Sequence, residues 1–127
     1  MKFNFMQVME LLNVIEELRD VKMPFTLSMI LAKNAKMLES EKEFYIERER
    51  EFIQTYLDVD ENGEFIQQGD NAFKIKDGFE AECREARMEM DSFESEVNLR
   101  KIPVKLIENM EFTPKQLAAL EVIIEEE

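Results

Sequence analysis

Apolar residues at Phe5, Val8, Leu11, Leu12, Ile15 and Leu18 recur at helical spacing, which predicts a first helix within residues 1–22. Asn4 stands at the position of an N-cap, Gln7 three residues on completes a capping box, and Phe3 and Val8 occupy the staple positions around it. Asp20 to Pro24 interrupts the stripe. Pro24 is tolerated in a first helical turn, and neither Gly nor Pro follows until Gly63. Leu31, Leu38, Tyr45 and Phe52 repeat every seven residues, flanked by Ile30, Met37 and Phe44. One helix over residues 24–57 is therefore predicted, about 50 Å long at roughly 1.5 Å per residue. Its middle, Glu39 to Glu51, is densely charged, and Glu41 and Arg48 replace apolar residues at the paired heptad positions. Such a helix is expected to leave the main core and protrude with a single partner.

Turn signals cluster in residues 58–76. Asn62-Gly63 is a strong hairpin dipeptide, Gln68-Gly69-Asp70-Asn71 makes a second break, and Phe65-Ile66 and Phe73 with Ile75 suit two short strands. A third helix is expected over 77–98, opened by a capping box of Asp77 with Glu80. Phe79, Cys83, Ala86, Met90, Phe93 and Val97 step by 4, 3, 4, 3, 4, a narrow seam whose partner should be the long helix. Over 99–112 the period changes, and Ile102, Val104 and Leu106 alternate with polar residues while Pro103 restricts any strand to an edge. The last helix, 113–124, has Thr113 as cap, Pro114 at its first position, Gln116 closing the box and a Phe112–Leu117 staple. Leu117, Leu120, Val122 and Ile123 form its apolar side, and Glu125 to Glu127 oppose the helix dipole, so the tail should fray. The expected fold is mainly α: one domain, 1–127, holding a long antiparallel coiled-coil-like helical hairpin. A small β-hairpin or loop is expected at its tip, with an N-terminal helix and a short C-terminal helix beside it.

Composition narrows the chemistry. With no histidine among 127 residues, Ser-His and Cys-His nucleophile pairs, His-based proton transfer and Cys/His zinc sites are excluded. Acids outnumber bases 29 to 16, a net charge of −13; residues 1–60 carry 12 acids and 8 bases, residues 61–127 carry 17 and 8. That surplus disfavours direct contact with nucleic-acid backbones and anionic membranes. It suits solubility, or a face complementary to a basic partner. The single cysteine, Cys83, leaves no internal disulfide and suggests a reducing compartment. The amino end lacks a signal-peptide layout and no apolar run spans a bilayer, so a cytoplasmic protein is expected.

Asp58-Val59-Asp60-Glu61-Asn62-Gly63-Glu64-Phe65 matches the first eight positions of an EF-hand loop, including the glycine at six. Gly69 stands at position twelve, where a bidentate Glu should close the shell. Asp58, Asp60, Asn62 and Glu64 are thus a weak calcium candidate, and an acidic turn is the favoured reading. Glu39, Glu43, Glu47 and Glu51 lie along one side of the long helix, but the His partners of a carboxylate di-metal bundle are missing. Cys83 falls in an apolar seam and reads as packing; Met6, Met9, Met23, Met29 and Met37 suit either an adaptable binding surface or core filling, the latter being the favoured reading. No phosphate loop or nucleophile motif is present, so no catalytic residue and no cofactor is expected.

Several segments follow one another in an order that resembles a family of small proteins of tailed phages and prophages of low-GC Gram-positive bacteria. They are Leu11-Leu12 through Leu18, Lys22-Met23-Pro24-Phe25, Leu31-Ala32-Lys33-Asn34, a charged helix reaching Arg48 and Tyr56, Asp60-Glu61-Asn62-Gly63, Ile102 to Ile107, and Phe112-Thr113-Pro114 through Leu120. The resemblance covers nearly the whole chain and departs at Met23, where the family tends to have Leu. It implies a phage or prophage origin and work in a bacterial cytoplasm or a virion, and supplies no catalytic residues. The expected role is a non-enzymatic accessory protein acting through contacts with phage or host proteins, in assembly or as a structural component. An alternative is an acidic inhibitor of a host defence nuclease, with Glu80, Glu82, Glu85, Glu89, Asp91, Glu94 and Glu96 as a phosphate mimic interrupted by Arg84 and Arg87. Pairing with a second copy of the chain is a further candidate, since a polar two-helix arm gains stability that way.

Overall fold

The structure is a computed structural model that describes residues 1–69 and 72–125. It is mainly helical, with helices α1 (Phe5–Glu17), α2 (Phe25–Tyr56), α3 (Glu80–Ser92) and α4 (Pro114–Leu120). Four two-residue strands accompany them: β1 (Lys2–Phe3), β2 (Ser95–Glu96), β3 (Ile102–Pro103) and β4 (Ile124–Glu125). The chain divides into two compact units, residues 1–43 with 94–127, and residues 44–93; α2 contributes to both. No helix among the described residues is long and apolar enough to cross a membrane.

The first unit is built on α1. The Asn4 side chain accepts from Gln7 N at 2.8 Å, and Gln7 Oε1 accepts from Asn4 N at 2.9 Å, so the expected capping box forms. The helix starts at Phe5 because Lys2–Phe3 is drawn into a strand, antiparallel to β2 with Lys2 opposite Glu96 and Phe3 opposite Ser95. Val8, Leu11, Leu12, Val14 and Ile15 are buried along α1, and Leu18 just beyond it. Val14 thus replaces Phe5, which is 40% exposed, in the expected stripe. Each buried aliphatic side chain contributes about 1.5–3 kcal/mol of transfer free energy.

The described bounds of α2, Phe25–Tyr56, lie within a residue of the expected 24–57. Leu31, Leu38, Tyr45 and Phe52 are all buried, as the seven-residue repeat requires. In the first unit the other half of the seam is Leu27 and Asn34. Asn34 is a polar residue with no exposed surface, and both ends of its amide are used: Nδ2 donates to Arg100 O at 3.0 Å and Oδ1 accepts from Arg100 N at 2.8 Å. It thereby fixes the extended segment that carries the buried Val97 and Leu99.

The carboxyl-terminal elements depart from expectation beyond α4. Thr113 and Gln116 form their box and Pro114 takes the first helical position, but α4 ends at Leu120. A tight turn, Glu121–Ile123, follows, and Ile124–Glu125 pairs in parallel with Ile102–Pro103. A parallel pair needs a long crossover, and α4 supplies it. Leu120 and Ile123 are buried, whereas Leu117 and Val122 remain 46% and 44% exposed, so the expected four-residue apolar side is reduced to two. Instead of continuing the alternation beyond Ile102, Val104–Leu106 forms a 3-10 turn. Of the fraying tail, Glu125 is in a strand; Glu126 and Glu127 lie outside the described residues.

Where a small hairpin or loop is expected, the second unit has three short segments. Leu57 bridges Ile75, Val59 bridges Phe65, and Gln67 bridges Phe73, each antiparallel. Their middle residues close a ring: Asp58 N donates to Lys74 O at 2.9 Å, Lys74 N to Ile66 O at 2.7 Å, and Ile66 N to Asp58 O at 3.3 Å. The spacing of eight residues, 58, 66 and 74, makes the arrangement a quasi-repeat. Asp60 N to Glu64 O, Gln68 N to Ala72 O and Lys76 N to Tyr56 O close its three corners. At the first corner the loop is the three residues Glu61–Gly63 rather than a two-residue Asn-Gly turn, with Gly63 at φ 79° taking the left-handed position. Of the second break, Asp70 and Asn71 lie outside the described residues.

The third helix is shorter than expected at both ends. The Asp77 capping box does not form; Phe79 is the N-cap residue without a side-chain cap, and the Glu80 carboxylate instead accepts from Gly78 N at 3.1 Å. At the other end Phe93 turns extended, φ −67° and ψ 134°, so that Ser95–Glu96 can pair with β1. Cys83 is buried and Ala86 and Met90 are half-buried, but Phe79 and Phe93 are 41% and 46% exposed and Val97 lies beyond the helix. The expected six-residue seam is cut to its middle.

Replacing Asn34 by Ala leaves the part-buried Arg100 amide and carbonyl without their side-chain partner. Urea denaturation should show a loss of about 2–3 kcal/mol, with an unchanged m-value.

Candidate functional site

Chemistry-bearing and apolar exposed residues meet in the second unit. Along Phe44–Tyr56 the aromatic residues Tyr45, Phe52 and Tyr56 fall on one stripe, with Phe44 at its border. They meet α3 through large side chains. The Tyr45 and Phe93 rings lie 6.1 Å apart edge to face, the Tyr45 hydroxyl donates to Phe93 O at 3.5 Å, and the Tyr56 and Phe79 rings are 6.4 Å apart. Between these, Arg87 reaches from α3 to α2. Its Nη2 and Nη1 donate to Glu49 Oε1 and Oε2 at 2.7 and 2.8 Å, while its guanidinium carbon sits 4.2 Å from the centre of the Phe52 ring. One arginine thus satisfies a carboxylate bidentately and caps an aromatic face.

The hydrogen bond from Arg87 holds the Glu49 carboxyl below its ordinary value of 4.5, with partial burial opposing and the arginine charge assisting. The same bond raises the Arg87 guanidinium. Because the folded value of Glu49 is depressed, its contribution to stability is present above pH 4.5 and is lost as the pH falls through the lowered value.

Two grooves flank Phe52. The first, about 430 Å³, is lined by Phe44, Tyr45, Phe52, Tyr56, Met90 and Phe93, with Arg48, Glu51 and Glu89 at its margin. Arg48 donates to Glu51 at 2.7 Å and lies 5.1 Å from the Phe44 ring centre. Desolvation, aided by the charge of nearby Glu82, pushes the Tyr56 phenol up. The second groove, about 730 Å³, is lined by Phe52, Ile53, Leu57, Phe65, Phe73, Ile75 and Cys83, with Glu49, Glu80, Arg84 and Arg87 around it. Phe44 and Phe93 in the first groove and Phe65 and Phe73 in the second are 41–46% exposed.

The acids singled out in the sequence are divided between the two units. Glu80, Glu82, Glu85, Glu89 and Asp91 lie on α3, where Glu80 is used by Gly78 N and Asp91 is 3.8 Å from Arg87. Glu94 and Glu96 belong to the other unit. Glu96 accepts from the terminal ammonium of Met1 at 2.9 Å, and that bond holds its carboxyl low. Glu82, Glu85 and Glu89 are exposed.

Two of the four calcium-candidate side chains, Asp58 and Asp60, bond to the chain itself. Asp60 Oδ1 accepts from Asn62 N and Glu64 N at 2.8 and 3.0 Å, an Asx turn. Asp58 accepts from Val59 N at 2.9 Å and lies 3.5 Å from Lys74 Nζ. Among the described residues no three His, Cys, Asp or Glu side chains are grouped to hold a metal ion. Glu39, Glu43 and Glu47 are exposed and Glu51 is paired with Arg48.

Sequence reasoning treated Arg87 as a mere interruption of acidity and passed over Glu49. Glu49 lies three residues before the buried Phe52 and Arg87 four residues after the buried Cys83, spacings that put each on the side of its helix that carries a buried residue. No protein-family model matches this chain, and neither a curated protein nor a solved structure shows significant similarity to it.

A double-mutant cycle of Glu49→Gln and Arg87→Met should give a coupling of about 1 kcal/mol at neutral pH. The coupling should vanish once the pH lies below the lowered value of Glu49. Calcium added at millimolar concentration should leave the melting temperature unchanged, and Asp60→Ala should lower it by a few degrees.

Proposed function

We propose that this chain is a non-enzymatic accessory protein of a tailed phage or prophage, acting through protein contacts in virion assembly or as a structural component. The reading rests on the aromatic groove of the second unit. Monomeric proteins keep contiguous apolar surface small, and a groove with half-exposed Phe44 and Phe93 and a polar margin has the make-up of an interaction site. Aromatic side chains supply anchor energy at modest entropic cost. The presenting element in this reading is an antiparallel helical hairpin. Its support is the descending order of contacts, Tyr45 with Phe93, Glu49 with Arg87 and Tyr56 with Phe79. The partner is a phage or host protein, and the chain works in the bacterial cytoplasm or within the virion.

Capture from phage-infected cells tests this. The wild-type chain should retain a virion or assembly protein. Phe44→Ala with Phe93→Ala should weaken retention about tenfold or more, with helicity by circular dichroism unchanged. Gln at Glu82, Glu85 and Glu89 should retain the partner. Recovery of a host nuclease that is lost on the Gln variant and kept on the Ala variant would replace assembly with nucleic-acid mimicry.

A further inference from the structure

A protein with 29 acids and 16 bases repels its own copies over most of its surface. A symmetric dimer sets one face against the same face of a second copy, so any excess of one sign on that face meets itself. Only an apolar face with balanced charge escapes the penalty.

The second groove of the 44–93 unit has that character. Its floor is Ile53, Leu57, Phe65, Phe73 and Ile75, and its charged lining is two acids, Glu49 and Glu80, with two arginines, Arg84 and Arg87. Arg87 is already bound to Glu49. Arg84 is exposed and makes no ion pair among the described residues, although it stands one helical turn from Glu80 in the most acidic helix of the chain. The rings of Phe65 and Phe73 lie 6.1 Å apart edge to face, and each is left more than 40% exposed. They belong to two of the three segments of the hydrogen-bonded ring, so they form a preorganised apolar pad rather than loop residues free to fold inward.

We propose that this face is a self-association surface, with the Phe65/Phe73 pads of two copies packed against each other and Arg84 of each chain paired with Glu80 of the other. The groove on the other side of Phe52, with Arg48, Glu51 and Glu89 at its margin, stays open for a different protein, so the two contacts do not compete. The proposal stands apart from the accessory role, because it concerns the purified chain alone.

Sedimentation equilibrium at tens of micromolar should give twice the chain mass of 15.1 kDa. Phe73→Asp should yield a monomer with unchanged far-ultraviolet circular dichroism. Arg84→Glu, an exposed substitution that leaves folding intact, should weaken association about tenfold or more. Combining Arg84→Glu with Glu80→Arg should restore it, since the swapped charges again meet their opposites. A wild-type chain that stays monomeric overturns the proposal and leaves the face for another protein. So does a dimer indifferent to both Phe73→Asp and Arg84→Glu.

Discussion

Beyond Leu38, α2 buries only one side chain in seven, Tyr45 and then Phe52, because Glu41 and Arg48 stand where the other half of a seam would be. A helix held by so thin a stripe cannot fasten a neighbour through aliphatic interdigitation. The second unit meets this constraint with large side chains and one bidentate ion pair. Arg87 spans from α3 to Glu49 while covering Phe52, and aromatic contacts at Phe93 and Phe79 flank it. The pair is partly exposed, so it supplies register and orientation more than stability. The same unit holds the ring of three short segments, closed by its own backbone hydrogen bonds, and a groove on each side of Phe52.

The first unit is held differently. There α1 buries a broad aliphatic stripe, and α2 adds Leu27, Leu31 and Leu38. Asn34 contributes no apolar area, yet its position matters more than its volume. An amide that both donates to and accepts from Arg100 favours one register of the 97–101 segment, since a slip of one residue would take both partners away from the fully buried Asn34 side chain. Specificity comes from the polar residue and stability from the leucines around it. The terminal strands serve the same economy: β1 with β2 and β3 with β4 tie distant ends of the chain with two residues each.

The acids of this chain serve in several ways. Many acids are solvated, and several of the rest work locally, Asp60 within its own turn, Glu80 at the start of α3, Glu96 at the terminal ammonium and Glu49 across to Arg87. Phe44 and Phe93 in one groove, and Phe65 and Phe73 in the other, stay half-exposed, which chain stability does not explain. A reading through protein contacts therefore draws on Phe44, Phe93, Phe65 and Phe73 more than on the acids.

The elements legible from the amino-acid order are those whose signals are local. The Asn4–Gln7 and Thr113–Gln116 boxes close within three residues, and the Leu31, Leu38, Tyr45, Phe52 repeat needs only helical geometry to bury its members on one side. The acidic turn at Asp60 is likewise a matter of neighbouring backbone groups. What tertiary structure decided are the places where a distant segment outbid local propensity. Phe93 to Val97 left its helical period because the β1 backbone offered partners, and Ile124 left α4 for Ile102. Three separated segments closed a ring that no single dipeptide announces. Arg87 found Glu49, 38 residues away, and Asn34 found Arg100, 66 residues away. Spacing along a chain encodes which side a residue faces, but not which distant backbone or charge will arrive there, because that depends on how the whole chain closes.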